Sequence, residues 1–296
     1  MESTEQRPGS GRPIVVGIDG SVGSDRAIRW AAGQAGLDGR PLVLVHAVGP
    51  SAAATWMAAP GFNPATVLEA VEECGHTLLA QARSTVRAHD AAIEVRCVFD
   101  RRDARDALLD HAQHAAMVVV GSRGRGAMLS LLLGSVSLAV SQHANCPVVV
   151  VREDDPTGGR RTGVVVGTDA TAGSDAALGF AFRHASARGL PVTVVHAFAT
   201  DRGDRSPAAA DRSGRARHLI AESVRGLAAD HPDVQVAIRV ECGLPDAVVA
   251  SACRDADLLV VGTHPTNALY DLLTGEVSRS ALAHAKCAVA VVPDPM

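Results

Sequence analysis

Short, uninterrupted apolar runs alternate along the chain with longer stretches in which apolar residues recur every three or four positions. The first run, residues 14–18 (Ile-Val-Val-Gly-Ile), has no polar alternation and predicts a parallel strand buried on both faces. It ends in Asp19-Gly20-Ser21, and a helix is expected over residues 24–36 with Ala27, Ile28, Ala31, Ala32 and Ala35 on its inner side. Residues 42–48 predict a second strand. Residues 66–88 predict a long helix, carrying Val67, Leu68, Val71, Leu78, Leu79, Ala82 and Val86 at helical spacing. An alternating run at 93–99 predicts a third strand, followed by a helix over 104–115, a strand at 117–120, a helix at 135–143 and a strand at 147–151. Strands alternating with helices define an α/β unit with a mostly parallel five-stranded sheet, right-handed crossovers and helices on both faces. Ligands of such sheets sit outside the carboxyl ends of the strands, where Asp19, Ala47 and Gly121 fall.

The whole series occurs twice. Ile14-Val15-Val16-Gly17-Ile18-Asp19 matches Val164-Val165-Val166-Gly167-Thr168-Asp169 at a spacing of 150 residues. That register holds through Gly23-Ser24-Asp25 and Gly173-Ser174-Asp175, and through His46-Ala47 and His196-Ala197. Beyond it the spacing falls to 141, pairing Gly121, Gly134, His143 and Cys146 with Gly262, Gly275, His284 and Cys287. The second copy has therefore lost nine residues between its second and fourth strands. A repeat of this length is a whole domain. The expected organisation is a disordered tail over residues 1–12, rather than a signal peptide, a first domain over 13–152, a charged Pro/Gly-containing linker over 153–162 and a second domain over 163–296.

After its fourth apolar run the first copy reads Gly121-Ser122-Arg123-Gly124, nine residues, then Gly134-Ser135. Glycines at 121, 124 and 126 leave room for a ligand to approach the backbone. The unpaired N–H groups of Ser135, Val136 and Ser137 at a helix start suit a phosphate. Ser135 and Ser137 offer hydroxyls, and Arg123 and Arg125 are either solvated or folded over polyphosphate.

Composition narrows the alternatives. The net charge is −4 and aromatic residues are 3% of the chain, which supplies neither a basic phosphate-tracking face nor stacking platforms for nucleic acid. No apolar run approaches the ~20 residues of a membrane span, so a cytoplasmic protein is expected. Of the 28 basic residues only Lys286 is lysine, so no Walker A lysine exists and P-loop chemistry is excluded. None of the six cysteines shows C-x-x-C spacing, and Cys146 and Cys287, just before the last strand of each half, read as buried, inert thiols. His111 and His114, beside Asp110, read as solvated surface side chains rather than metal ligands.

The full G-x-x-G-x(9)-G-[ST] spacing resembles the ATP-binding motif of the universal stress protein family. The opening at residues 15–21, the His46-Ala47-Val48 strand end and the His-Ala-Asn-Cys-Pro-Val-Val-Val close at 143–150 agree with it. The resemblance spans residues 13–152 and 163–293 and suggests the tandem two-domain actinobacterial type. It implies a Rossmann-like fold of the adenine nucleotide alpha hydrolase kind. It also implies ATP binding, with Mg2+ bridging the phosphates. By that resemblance Gly17 and Asp19 lie by adenosine and the backbone near Ala47 meets the adenine edge. Gly121, Ser122, Arg123, Gly124, Arg125, Gly126 and Ala127, with Gly134, Ser135, Val136 and Ser137, hold ribose and phosphates.

In the second copy Gly167, Asp169, Gly262 and Gly275 survive and would form at most a weaker second site. Pro265 replaces the second glycine, fixing φ and removing an N–H, and Glu276 puts a carboxylate where phosphate oxygens would sit. That copy is expected to keep the fold for packing alone. The expected function is nucleotide-dependent regulation with little or no hydrolysis, through an unknown protein partner. A slow ATPase or adenylating enzyme, and a non-catalytic module binding another adenine ligand such as cyclic AMP, are the alternatives. Edge strands 148–151 and 289–292 are the expected pairing surface, within the chain and for a possible homodimer.

Overall fold

The structure, a computed structural model, describes residues 11–49, 63–124, 133–152, 163–198, 207–263, 280–282 and 284–294. The chain divides into two compact units, Met1–Glu153 and Asp154–Met296. The tail over 1–10 and the linker over 153–162 lie outside the described residues.

Unit 1 runs β1 (Ile14–Gly17), α1 (Val22–Asp38), β2 (Leu42–Ala47), α2 (Pro64–His89), β3 (Val95–Asp100), α3 (Ala104–Ala112), β4 (Met117–Gly121), α4 (Ser135–His143) and β5 (Val148–Val151). Its strands lie in the order β3-β2-β1-β4-β5, and every pairing is parallel. The chain steps one way across β1, β2 and β3, then doubles back to β4 and β5. Right-handed crossovers therefore put α1 and α2 on one face of the sheet and α3 and α4 on the other. The central strands are the purely apolar runs: Ile14, Val15 and Val16 of β1 and Val118 and Val119 of β4 are at most 1% exposed. Edge strand β3 is instead half-buried along most of its length.

Boundaries shift for local reasons. Helix α1 begins at Val22, two residues before the apolar periodicity does, because Ser21 caps it: its Oγ accepts the Ser24 N–H at 3.1 Å. Helix α3 stops at Ala112, three residues short of the expected end. There Gln113, His114 and Ala115 switch to bonds reaching back three residues, onto Asp110, His111 and Ala112.

Unit 2 repeats the order with β6 (Val164–Gly167), α5 (Asp175–Arg188), β7 (Val192–Phe198), α6 (Pro207–Asp230), β8 (Val236–Cys242), α7 (Pro245–Ala252), β9 (Leu258–Thr263) and β10 (Ala288–Pro293). Its sheet is β8-β7-β6-β9-β10, again parallel throughout. One contact is particular to this unit. His184 on α5 and Asp257, the residue before β9, are both buried, with Nε2 and Oδ2 3.3 Å apart. At the equivalent places unit 1 has Gln34, bonded to Asp38 at 2.9 Å, and Ala116. No helix among the described residues is long and apolar enough to cross a membrane.

Candidate functional site

The strand order of unit 1 reverses between β1 and β4, so their carboxyl ends open the crevice in which doubly wound sheets hold ligands. Two loops form its walls. The first is the β1–α1 turn. Gly20 sits there at φ 73, a left-handed conformation that lets the chain reverse directly after Asp19. Asp19 Oδ1 accepts the Ser21 N–H at 2.9 Å and the Ser21 hydroxyl at 2.6 Å, which fixes the carboxylate over the helix start.

The second wall is the segment after β4, and glycines bring it against the first. A Cβ on Gly121 would lie 2.6 Å from the carbonyl carbon of Gly23, and one on Gly23 would lie 2.8 Å from Arg123 O. Backbone therefore touches backbone. A Cβ on Gly124 would lie 2.4 Å from Asp19 Oδ2, so the aspartate carboxylate occupies the space that this glycine leaves. Ser21 Oγ, its proton held by Asp19, also lies 3.3 Å from Arg123 O. Gly17 acts one layer lower: a Cβ there would press on Leu108 and Val120 at 3.1 and 3.2 Å, so its absence lets α3 approach the sheet.

Helix α4 enters the crevice by its N-terminus. Gly134 is the cap residue and, having no side chain, leaves the first turn without a side-chain hydrogen bond. The helix start is tied to the β4 segment by Gly134 N–H donating to Ser122 O at 2.8 Å and Ser137 Oγ donating to Gly121 O at 2.7 Å. Ser122 is itself buried, and its N–H donates to Val151 O. The single proton of Ser137 is thus committed to the loop, and Ser135 at the helix start keeps the freer hydroxyl. Arg125, Gly126 and Ala127 lie outside the described residues.

Strand β2 supplies the third side. Val45 O accepts from Ile18 N toward β1, whereas Val48 N–H donates to Asp100 O toward β3. Two residues beyond Val45, Ala47 aims its N–H and C=O toward β1 again, but β1 has already ended at Gly17. A donor and an acceptor side by side at a strand end match the edge of an adenine ring. His46 braces this end: its Nδ1 lies 2.7 Å from Ile18 O, and its ring packs 5.9 Å from Phe99. At the rim, hydrogen bonds from Arg102 hold the Asp100 carboxyl below its ordinary value.

Unit 2 builds the same crevice differently. Ala170 takes the place of Gly20 and keeps its left-handed conformation at φ 63, which costs an alanine about 1–2 kcal/mol. A short 3-10 turn, Ala172–Ser174, replaces the first helical turn. Asp169 Oδ1 is taken by Thr171 N–H, Thr171 Oγ1 and Ser174 Oγ at 3.0, 2.7 and 2.9 Å. The nearest atoms to a Cβ on Gly262 would be 3.9 Å away, against 2.6 Å for Gly121, so the two walls stand further apart. Gly167 ends β6. Pro265, Gly275 and Glu276 lie outside the described residues.

Sequence reasoning missed Ser21 and Gly23, which join the walls. The signal was present in the S-x-x-S cap spacing of residues 21–24 and in the Gly23/Gly173 repeat.

Two Rossmann-like units, each with a crevice at its switch point, define a tandem doubly wound α/β protein. The chain belongs to the universal stress protein family, whose model matches residues 11–152 and 161–293. It is 36% identical over 288 residues to a universal stress protein of Mycolicibacterium smegmatis, covering 94% of this chain and 96% of that one. It is 33% identical over 293 residues to one of Mycobacterium tuberculosis, covering 96% and 98%. A solved structure of a universal stress protein from Archaeoglobus fulgidus shares the fold, with a TM-score of 0.72 at 19% identity, over 96% of this chain and 99% of that one.

Proposed function

We propose that unit 1 binds an adenine nucleotide, ATP with Mg2+ bridging its phosphates, and that the bound state regulates the protein's association with a partner. The observation that carries this reading is the uncapped start of α4, held by Ser137 and Gly134 against the β4 segment. Backbone donors at the positive end of a helix dipole favour an anion. Asp19 lies on the ribose side and Ala47 at the adenine edge. Mg2+ in this reading is held mainly by the phosphates themselves. With no P-loop lysine and no assigned base to orient water, turnover is expected to stay below ~1 s⁻¹, the lower end of ordinary enzyme rates.

Calorimetric titration of the chain with ATP and magnesium tests this. One nucleotide per chain is expected, with AMP and cyclic AMP binding more weakly because they leave the α4 donors partly unused. Absence of binding, or equal affinity for all three, would remove the phosphate cradle from the account. In unit 2 the paired substitution Pro265→Gly and Glu276→Ser returns an N–H and removes a like charge. A second titration equivalent is expected from that variant, and an unchanged count of one would place the obstacle in the wider Asp169 wall instead.

A further inference from the structure

A cavity of about 280 Å³ opens in unit 1 at the amino ends of the strands, the opposite end of the sheet from the crevice. Its floor is a row across the sheet: Val15 of β1 is in register with Val43 of β2, and Val43 with Arg96 of β3. Val15 shares a face with Gly17, two residues on, and that is the face Leu108 of α3 covers. The two valines are 1% and 4% exposed, and Pro13 adds to the apolar wall. The last turn of α3 contributes Asp110 and His111, and the tight turn that ends the helix early adds His114.

The polar groups of this lining are unequally committed. Asp110 Oδ2 accepts from Arg102 at 3.2 Å, and Arg102 also holds Asp100, so the acid of the lining is already matched. Among the described residues the side chains of Arg96, His111 and His114 have no hydrogen bond or ion pair. Burial holds His111 below the ordinary imidazole value, which leaves it neutral near pH 7 with one N–H to donate. Arg96 therefore carries the charge of the cavity. Unit 2 supplies an internal contrast. Its row, in the same register, is Val165, Thr193 and Ala237. At the spacing of 141 residues, Ala252 and Asp255 stand where unit 1 has His111 and His114. The guanidinium and both imidazoles are thus particular to unit 1.

We propose that this cavity is a second ligand site, separate from the crevice, for a small organic carboxylate with a short apolar body. The planar guanidinium of Arg96 offers paired N–H donors that match the two oxygens of a carboxylate. The N–H of His111 donates to the same head. The apolar body lies over Val15 and Val43 against Pro13, where it replaces water on buried hydrocarbon. A volume of about 280 Å³ falls just below the range of roughly 300–1,000 Å³ typical of drug-sized ligands, which limits the occupant to about one ring. A bare inorganic anion would satisfy Arg96 but leave the valine floor wet, so the organic acid fits better.

The test is a titration of the full chain with benzoate, following the ring protons of His111 and His114 by NMR. Saturable shifts of both are expected, with a Kd on the order of 1 mM for so small a ligand. Benzamide, which keeps the ring and loses the charge, should bind about tenfold more weakly or worse. Arg96→Ala, which installs the residue unit 2 already uses at an exposed strand position, should weaken benzoate by a similar factor. Arg29→Ala, at an exposed arginine on the other face of the sheet, should change nothing. Saturating ATP should also leave the titration unchanged, because the crevice lies at the opposite strand ends, so the result stands whether or not unit 1 binds nucleotide. Absence of the shifts, equal binding of benzamide, or full affinity in the Arg96→Ala variant would overturn the proposal. Displacement of benzoate by ATP would overturn it as well. So would inorganic phosphate binding with equal affinity, since the apolar floor would then have no part.

Discussion

Gly124→Ala is expected to weaken nucleotide binding by unit 1 about a hundredfold while the denaturation midpoint stays where it was. The new methyl would lie 2.4 Å from Asp19 Oδ2. That atom is the outer end of a side chain and not backbone, so the carboxylate yields and the fold does not. In yielding, Asp19 turns Oδ2 away from the crevice while Oδ1 keeps the Ser21 N–H and hydroxyl at 2.9 and 2.6 Å, so the turn stays tied. A ligand hydrogen bond to a charged group contributes about 1.5–3 kcal/mol, and a hundredfold loss of affinity is about 2.7 kcal/mol. Calorimetry on the variant, paired with a urea melt, separates the two effects. Unchanged affinity would show that Asp19 and Gly124 do not border the ligand. A lowered midpoint would show that the loops, not the ligand, needed the glycine.

The second large effect lies in unit 2. His184→Ala is expected to destabilise this unit by about 3 kcal/mol, because it withdraws a partner from a buried carboxylate. Asp257→Ala should cost about 2 kcal/mol, since an imidazole nitrogen in the core then loses its acceptor. The double change His184→Ala with Asp257→Ala removes both partners together and leaves neither group buried alone. It should therefore cost at least about 1 kcal/mol less than the two single changes summed. Denaturant unfolding followed with a unit 2 probe measures this, and strict additivity would mean that the 3.3 Å contact contributes little.

The elements were legible wherever one physical signal dominated. Residues 14–17 and 117–120 are apolar on both faces and read as buried parallel strands, whereas 93–99 read as an alternating strand whose place at the sheet edge only the structure gives. The crevice was legible through its glycines, but their main use was not. Gly121 read as room for a ligand and Gly23 only as a repeated position, whereas in the structure each first makes room for the other loop's backbone. That contact joins residues about a hundred positions apart, and no local pattern announces it. His184 likewise gave no periodic signal for its partner across 73 residues.

The Gly23–Gly121 contact has a mechanical meaning. Two backbones meeting without side chains between them have no slack, so the β1–α1 turn and the β4 segment behave as one rigid link. A ligand that pushes on the segment at Gly121–Gly124 also pushes the first turn of α1. Helix α1 lies on the face shared with α2, whereas α4 lies on the other. In the proposed function, occupancy of the crevice would thereby be felt at both surfaces of unit 1 at once. In unit 2 the corresponding gap is wider and offers no such link.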